Sequence, residues 1–182
     1  MAQLIVPRVV FPLLLFLLPL LVASNTVSSL KSLHFTLYEQ ETVNKTAFLI
    51  VNGVTGATTS PTTTPFGTIF AFRDPLTATP DPSSKVMGFA EGVSVTSTFD
   101  GLWSVTAGKV TLSLKKHKGT ISLLGGTLNT ETADTPVVGG TDDFLFVQGY
   151  ARISPIELGG LHVVYKLQFH LYWPPFAAQI TH

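Results

Sequence analysis

From residue 33 to residue 173 the chain is built of short runs in which apolar and polar side chains alternate, and no long stretch repeats apolar residues at helical spacing. The runs are rich in β-branched and aromatic residues and are bounded by Gly, Pro, Asn, Asp or Thr. The spacing predicts eight strands: Leu33–Glu39, Ala47–Val54, Phe66–Phe72, Lys85–Ser97, Leu102–Leu114, Gly119–Gly125, Phe144–Ile153 and Leu161–Trp173. The last is the clearest. Leu161, Val163, Tyr165, Leu167, Phe169 and Leu171 fall on one face, and His162, Lys166, Gln168 and His170 on the other, with Val164 the exception. A Thr/Pro-rich loop separates the second and third strands. Asp74–Pro75–Leu76–Thr77 reads as the opening of another loop, Lys115 to Lys118 as a hairpin tip and Gly159–Gly160 as a tight turn. Eight strands without crossover helices imply an antiparallel sheet. Eight is also the number at which a closed barrel just encloses side chains or one small ligand; the rival architecture is a sandwich.

Polar residues that interrupt an apolar face are the candidates for chemistry, because a small barrel binds its guest inside. In the first strand Leu33, Phe35, Leu37 and Glu39 share a face. In the fourth, Met87, Phe89, Glu91, Val93 and Val95 do. In the seventh, Asp142, Phe144, Phe146, Gln148 and Tyr150 do. Burial would raise the pKa of a carboxyl on such a face and suit it to proton transfer near neutrality. Each has a plainer reading as well. Glu39 ends its run, Gly92 could shift the parity at Glu91, and Asp142–Asp143 follows a Gly-Gly-Thr turn. Asp74 reads as a structural Asp–Pro turn, a kind of loop that can also line a barrel mouth. The five histidines show no metal-ligand spacing, and no phosphate loop, G-x-S-x-G or H-E-x-x-H occurs.

Composition narrows the classes. Of 182 residues, 45% are apolar and 12% charged, and Lys plus Arg equals Asp plus Glu at 11 each. Without a basic excess, nucleic acid is not an expected partner. The absence of cysteine removes disulfides, thiolate nucleophiles and Cys-based metal sites. Arg8, the apolar run Val9 to Ala23 and the small residues Val22–Ala23–Ser24 form an export-signal pattern, with cleavage expected after Ser24. At 15 residues the run is short for a membrane span. The expected organisation is therefore a signal over 1–24 and one domain over 25–182. Asn44–Lys45–Thr46 is an N-glycosylation sequon, and Asn44 a candidate acceptor.

The residues resemble the plant dirigent family across nearly the whole exported part. The matching segments are Leu33 through Glu39, Pro65–Phe66–Gly67–Thr68, Arg73–Asp74–Pro75–Leu76–Thr77, Ser83 through Gly88, Ala90–Glu91–Gly92, Pro136 through Thr141 and Gly149–Tyr150–Ala151. The resemblance implies an all-β, eight-stranded antiparallel barrel of the allene oxide cyclase type. It implies secretion to the apoplast or cell wall, a homo-oligomer (dimer or trimer) and no cofactor. The implied function is stereoselective coupling of phenoxy radicals, such as those of coniferyl alcohol, made by a separate laccase or peroxidase in lignan biosynthesis. The alternatives are a quinone-methide dehydratase or cyclase of the pterocarpan-forming type and a non-catalytic phenolic-binding or cell-wall module. In this setting Glu39 and Asp143 would move protons, and Gln148, Glu91, Phe35, Phe146 and Tyr150 would bind the phenolic guest. Departures from the family pattern include Tyr38–Glu39 where it has His-Asp, Glu91 where it has glutamine, Asp142 and Leu145 where it has glycine and arginine, and Val147–Gln148 where it has Ala-Arg.

Overall fold

A computed structural model describes residues 30–54 and 63–179. The signal over 1–24, its cleavage point at Ser24 and most of the Thr/Pro-rich loop lie outside the described residues. Among the described residues nine strands form: β1 (Lys31–Thr42), β2 (Ala47–Val51), β3 (Ile69–Thr77), β4 (Val86–Thr96), β5 (Trp103–Ser113), β6 (Lys118–Leu128), β7 (Ala133–Gly140), β8 (Gln148–Gly159) and β9 (His162–Trp173). They run in the order β1-β9-β8-β7-β6-β5-β4-β3, all antiparallel. Pairing of β1 with β3 through Tyr38–Thr77 and Glu39–Leu76 closes the ring. The architecture is the expected eight-stranded antiparallel barrel, not a sandwich.

The ninth strand, β2, is short and lies beside β3 outside the ring order. The edge of β3 is shared: Ile69 to Phe72 pair with β2, and Leu76 and Thr77 pair with β1. Between them β1 and β2 diverge, and the fork is bridged by the Arg73 N–H, which donates to the Thr46 carbonyl at 2.8 Å. Asp74–Pro75 therefore continues a strand and opens no loop. Pro75 is tolerated there because it falls where one neighbour has ended and the next has not begun, so its missing donor breaks no ladder on that edge.

The strand over Ala133–Gly140 was absent from the eight predicted runs. Pro136 and Gly139–Gly140 read as turn residues, yet Pro136 pairs with Tyr150 of β8. It fits because β6 offers Gly125 beside it: a Cβ there would lie 2.8 Å from the proline ring. The predicted run Phe144–Ile153 begins late, at Gln148. Its first part is a 3-10 turn over Asp142–Phe144, followed by Phe146 in the left-handed region at φ 61°.

The interior divides into two halves. At one end Leu76, Val110, Leu112, Ile121, Leu167, Phe169, Leu171 and Trp173 form a packed apolar core. Phe144, fully buried, plugs this end against Trp173. The inner face of β9 is the one predicted, apart from exposed Leu161. On β4 the predicted parity is reversed. The small residues Gly88, Ala90, Gly92 and Ser94 face in, and Val93 is exposed on the outside. The cause is Phe72 of β3: its ring crosses the barrel over Gly92, where even a Cβ would lie 2.2 Å from the Ala107 carbonyl oxygen and 3.0 Å from the ring. Large inward side chains on β4 would have no room.

Candidate functional site

At the other end the barrel is not filled. A cavity of about 150 Å³ lies between the inner faces of all eight staves. That is roughly ten times the ~10–15 Å³ one water needs on the same measure. Its wall is mixed. Phe70, Phe72, Val110, Leu123, Val163 and Leu167 supply apolar surface; Ser94, Ser104, Thr106, Thr127 and Thr135 supply hydroxyls. Most lining residues lie toward one end of their strands, so the opening is framed by the loops β1–β2, β4–β5, β6–β7 and β8–β9 and by Thr64 ahead of β3.

Acidic groups concentrate on one wall. Glu39 and Glu41 of β1 are two residues apart, so both point inward. Tyr165 of β9 is directly opposite Glu39 in register. Asp74 lies on the inner face of β3, following Phe70 and Phe72 in parity, at the fork between β1 and β2. Carrying the Glu39–Leu76 register two residues further sets Glu41 opposite Asp74. Asp74 is fully buried, and neither carboxylate oxygen makes a well-formed hydrogen bond, although Glu39 and the Thr46 hydroxyl lie beside it. The Thr46 hydroxyl is held by the Thr42 backbone, accepting from its N–H at 2.8 Å.

Three carboxyls in one low-dielectric pocket cannot all ionise together. Burial, then the charges of Asp74 and Glu41, holds Glu39 well above the carboxylate range. Burial and Asp74 push Glu41 up to about 7. Burial pushes Asp74 up to about 6, opposed by hydrogen-bonding contact with Thr46 and Glu39. Burial, with these three carboxyls, also raises Tyr165, so its phenol stays a donor. Near neutral pH the site therefore holds both a protonated acid and a carboxylate, the two forms that acid–base catalysis requires.

The residues singled out from the sequence scatter. Glu39 is in the cavity. Phe35 faces the same interior but one layer deeper, stacked on Phe169 at 4.7 Å between ring centroids. Glu91 is on the outer face, in a row set by the register Arg73–Glu91–Lys109. It accepts from Arg73 Nε at 2.8 Å and pairs with Lys109 Nζ at 2.7 Å. Hydrogen bonding from Lys109 first, then Arg73, lowers its pKa. Asp143 is at the plugged end, exposed, with Oδ2 accepting from the Lys118 N–H at 2.8 Å. Phe146 and Gln148 line a separate shallow depression with Tyr172 and Phe176. Tyr150 is on the outer wall, stacked on His170 at 4.8 Å. Asn44 is exposed in the β1–β2 turn at φ 63°.

Glu41, Asp74 and Tyr165 were not among the candidates. The signal for Asp74 was the alternation Phe70, Phe72, Asp74, Leu76, which the proline obscured. Glu41 lies just past the end that alternation predicts for the first strand, and Tyr165 falls in sequence on a face otherwise apolar. Two mouth loops add an aromatic rim. Phe66 and Phe99 stack at 4.7 Å, and Phe99 is 87% exposed. Thr64, two residues before Phe66, lines the cavity and is hydrogen-bonded through its hydroxyl to Thr96.

The family model described as dirigent-like protein matches residues 32–172. Dirigent protein 1 of Arabidopsis thaliana is 35% identical over 109 residues, covering 57% of this chain and 60% of that protein. Pterocarpan synthase 1 of Glycyrrhiza echinata is 30% identical over 123 residues, covering 66% and 64%. Pterocarpan synthase 1 of Glycine max is 32% identical over 127 residues, covering 66% and 65%. These alignments thus span a little under two thirds of each relative. Among solved structures, the pterocarpan synthase dirigent protein PsPTS1 superposes with a TM-score of 0.70 at 23% identity, covering 79% of this chain and 96% of that one, which shows a shared fold. The chain belongs to the dirigent family.

Proposed function

We propose that the mouth cavity binds a phenolic guest and directs the fate of its quinone methide by proton transfer from Glu39 and Asp74, with Glu41 setting how the two share protons. The observation that carries this is the acidic wall: Glu39 and Glu41 line a cavity wide enough for an aromatic ring, and a fully buried Asp74, neither oxygen of which makes a well-formed hydrogen bond, lies beside Glu39 and helps to raise its pKa. A carboxyl so placed is costly to bury, and its contact with Glu39 links it to the guest through that side chain.

The chemistry best matched is a ring-closing dehydration. One carboxylic acid donates a proton to a leaving hydroxyl, the C–O bond breaks and water departs. A carboxylate takes the phenolic proton, leaving a neutral quinone methide. A second hydroxyl then adds to the methide carbon and gives up its proton to a carboxylate, while the quinone oxygen regains one. One water is lost and both carboxyls are restored. The pterocarpan synthases among the relatives support this reading. Stereoselective coupling of phenoxy radicals is the second reading, supported by the relatives named dirigent protein. There the same wall would act on the coupled quinone methide after an oxidase had supplied the radicals.

Chiral product analysis separates them. Turnover of a hydroxylated isoflavonoid-type alcohol without oxidase is expected. Glu39→Gln and Asp74→Asn should each lower its rate about 10²–10⁴-fold, while Glu91→Gln leaves it unchanged. Enantiomeric excess only with coniferyl alcohol plus an oxidase would establish the second reading instead. No effect in either arm would overturn both.

A further inference from the structure

A second constellation lies on the outer wall, away from the cavity. His34 of β1 and His170 of β9 are direct register partners. Their Nδ1 atoms are 3.2 Å apart, and their ring centroids 5.2 Å apart at 64°. Without metal, one imidazole donates its Nδ1–H to the other. The same dimensions are those of a chelate. Two imidazoles bound to zinc at ~2.0–2.1 Å and the tetrahedral angle have nitrogens about 3.3 Å apart and centroids about 5.2 Å apart. A square-planar ion would need its cis nitrogens closer, about 2.8–2.9 Å.

The neighbours fix the pair and leave it open. Tyr150 of β8 stacks on His170 at 4.8 Å and 16°, limiting rotation of that ring. Beyond it, Arg152 of β8 is held by Asp134 of β7 through Nε at 2.8 Å and NH2 at 2.9 Å, so its charge is countered before it reaches the histidines. His34 is exposed. Among the described residues no three His, Cys, Asp or Glu side chains converge, so the site has two protein ligands and open positions for solvent.

We infer that His34 and His170 form a two-histidine site for a divalent metal of zinc-like geometry. β1 is the first and β9 the last strand of the described fold, paired along their whole length, so the metal would clip the first and last strands together. Binding to the folded chain alone then raises its stability with metal concentration.

Untagged protein titrated with zinc chloride tests this by calorimetry and thermal unfolding. One zinc per chain and a rising Tm are expected. His34→Ala and His170→Ala should each weaken binding at least tenfold and remove the Tm shift, while His162→Ala keeps both. His34→Gln serves as a second variant if the alanine form unfolds, and imidazole nitrogen shifts should place the metal on both Nδ1 atoms. Failure to bind at millimolar zinc, binding unchanged in the His34 and His170 variants, or an equal response to magnesium would overturn the site.

Discussion

The acidic wall gives individual residues a measurable cost. Asp74 ionises at about 6 in the fold, against an ordinary value of 3.8, and Glu41 at about 7 against 4.5. The folded chain therefore holds protons that the unfolded chain releases, and stability falls as pH rises through this window. The Asp74 shift alone corresponds to on the order of 3 kcal/mol. Denaturant unfolding should show a more stable protein near pH 5 than near pH 8, with Asp74→Asn flattening that slope; a stability that instead climbs with pH would contradict the buried carboxyls. At this scale the sequence was half legible. The face shared by Leu33, Phe35, Leu37 and Glu39 identified Glu39 by parity, and the structure adds Glu41 two residues on. Glu91 misled because the large apolar residues of its strand, Met87, Phe89, Val93 and Val95, lie on the outer parity and the inner one is small, so parity pointed to the wrong face.

Among the elements, β4 depends on small inward residues. Gly92→Ala would drive a methyl into the Ala107 carbonyl oxygen and should cost about 1–3 kcal/mol, the usual range for overpacking. Gly108→Ala on β5 meets nothing nearer than 3.8 Å. It should fold normally while narrowing the cavity, which calorimetry with a phenol would detect as weaker binding. Equal destabilisation by the two substitutions would show that the close approach on β4 is not what sets its parity. The rim formed by the β2–β3 and β4–β5 loops is different again. Phe99→Ala removes an exposed ring and should leave Tm within about 1–2 °C, since surface substitutions typically change stability little. It should weaken guest binding severalfold through lost stacking. β7 shows where element reading fails: Pro136 and two glycines suggest a turn until Gly125 of β6 is seen to make room for the ring.

For the whole molecule, the governing fact is that one half of the barrel is packed and the other is not. Phe144, folded in by the 3-10 turn after β7, seals the packed end. Phe144→Ala should cost about 3–5 kcal/mol, typical of a buried aromatic truncated in a core, without touching the carboxyls. A large fall in Tm with kcat preserved at permissive temperature would confirm that fold and chemistry sit at opposite ends. Closure of the sheet also explains how a chain without cysteine manages its edges: among the described residues only the short β2 and the fork beside it interrupt an otherwise continuous ring.

Periodicity, turn residues and the order of matched segments were enough to determine an antiparallel barrel of eight staves and its family, because those depend on local alternation and on which residues tolerate turns. The tertiary structure alone decided which face of β4 points inward, that Asp74–Pro75 lies within a strand, and that Glu39, Glu41, Asp74 and Tyr165 share one wall. Those outcomes depend on contacts between β1, β3 and β9, strands joined across the ring closure and far apart in the chain, and alternation within a single strand carries no record of its partners.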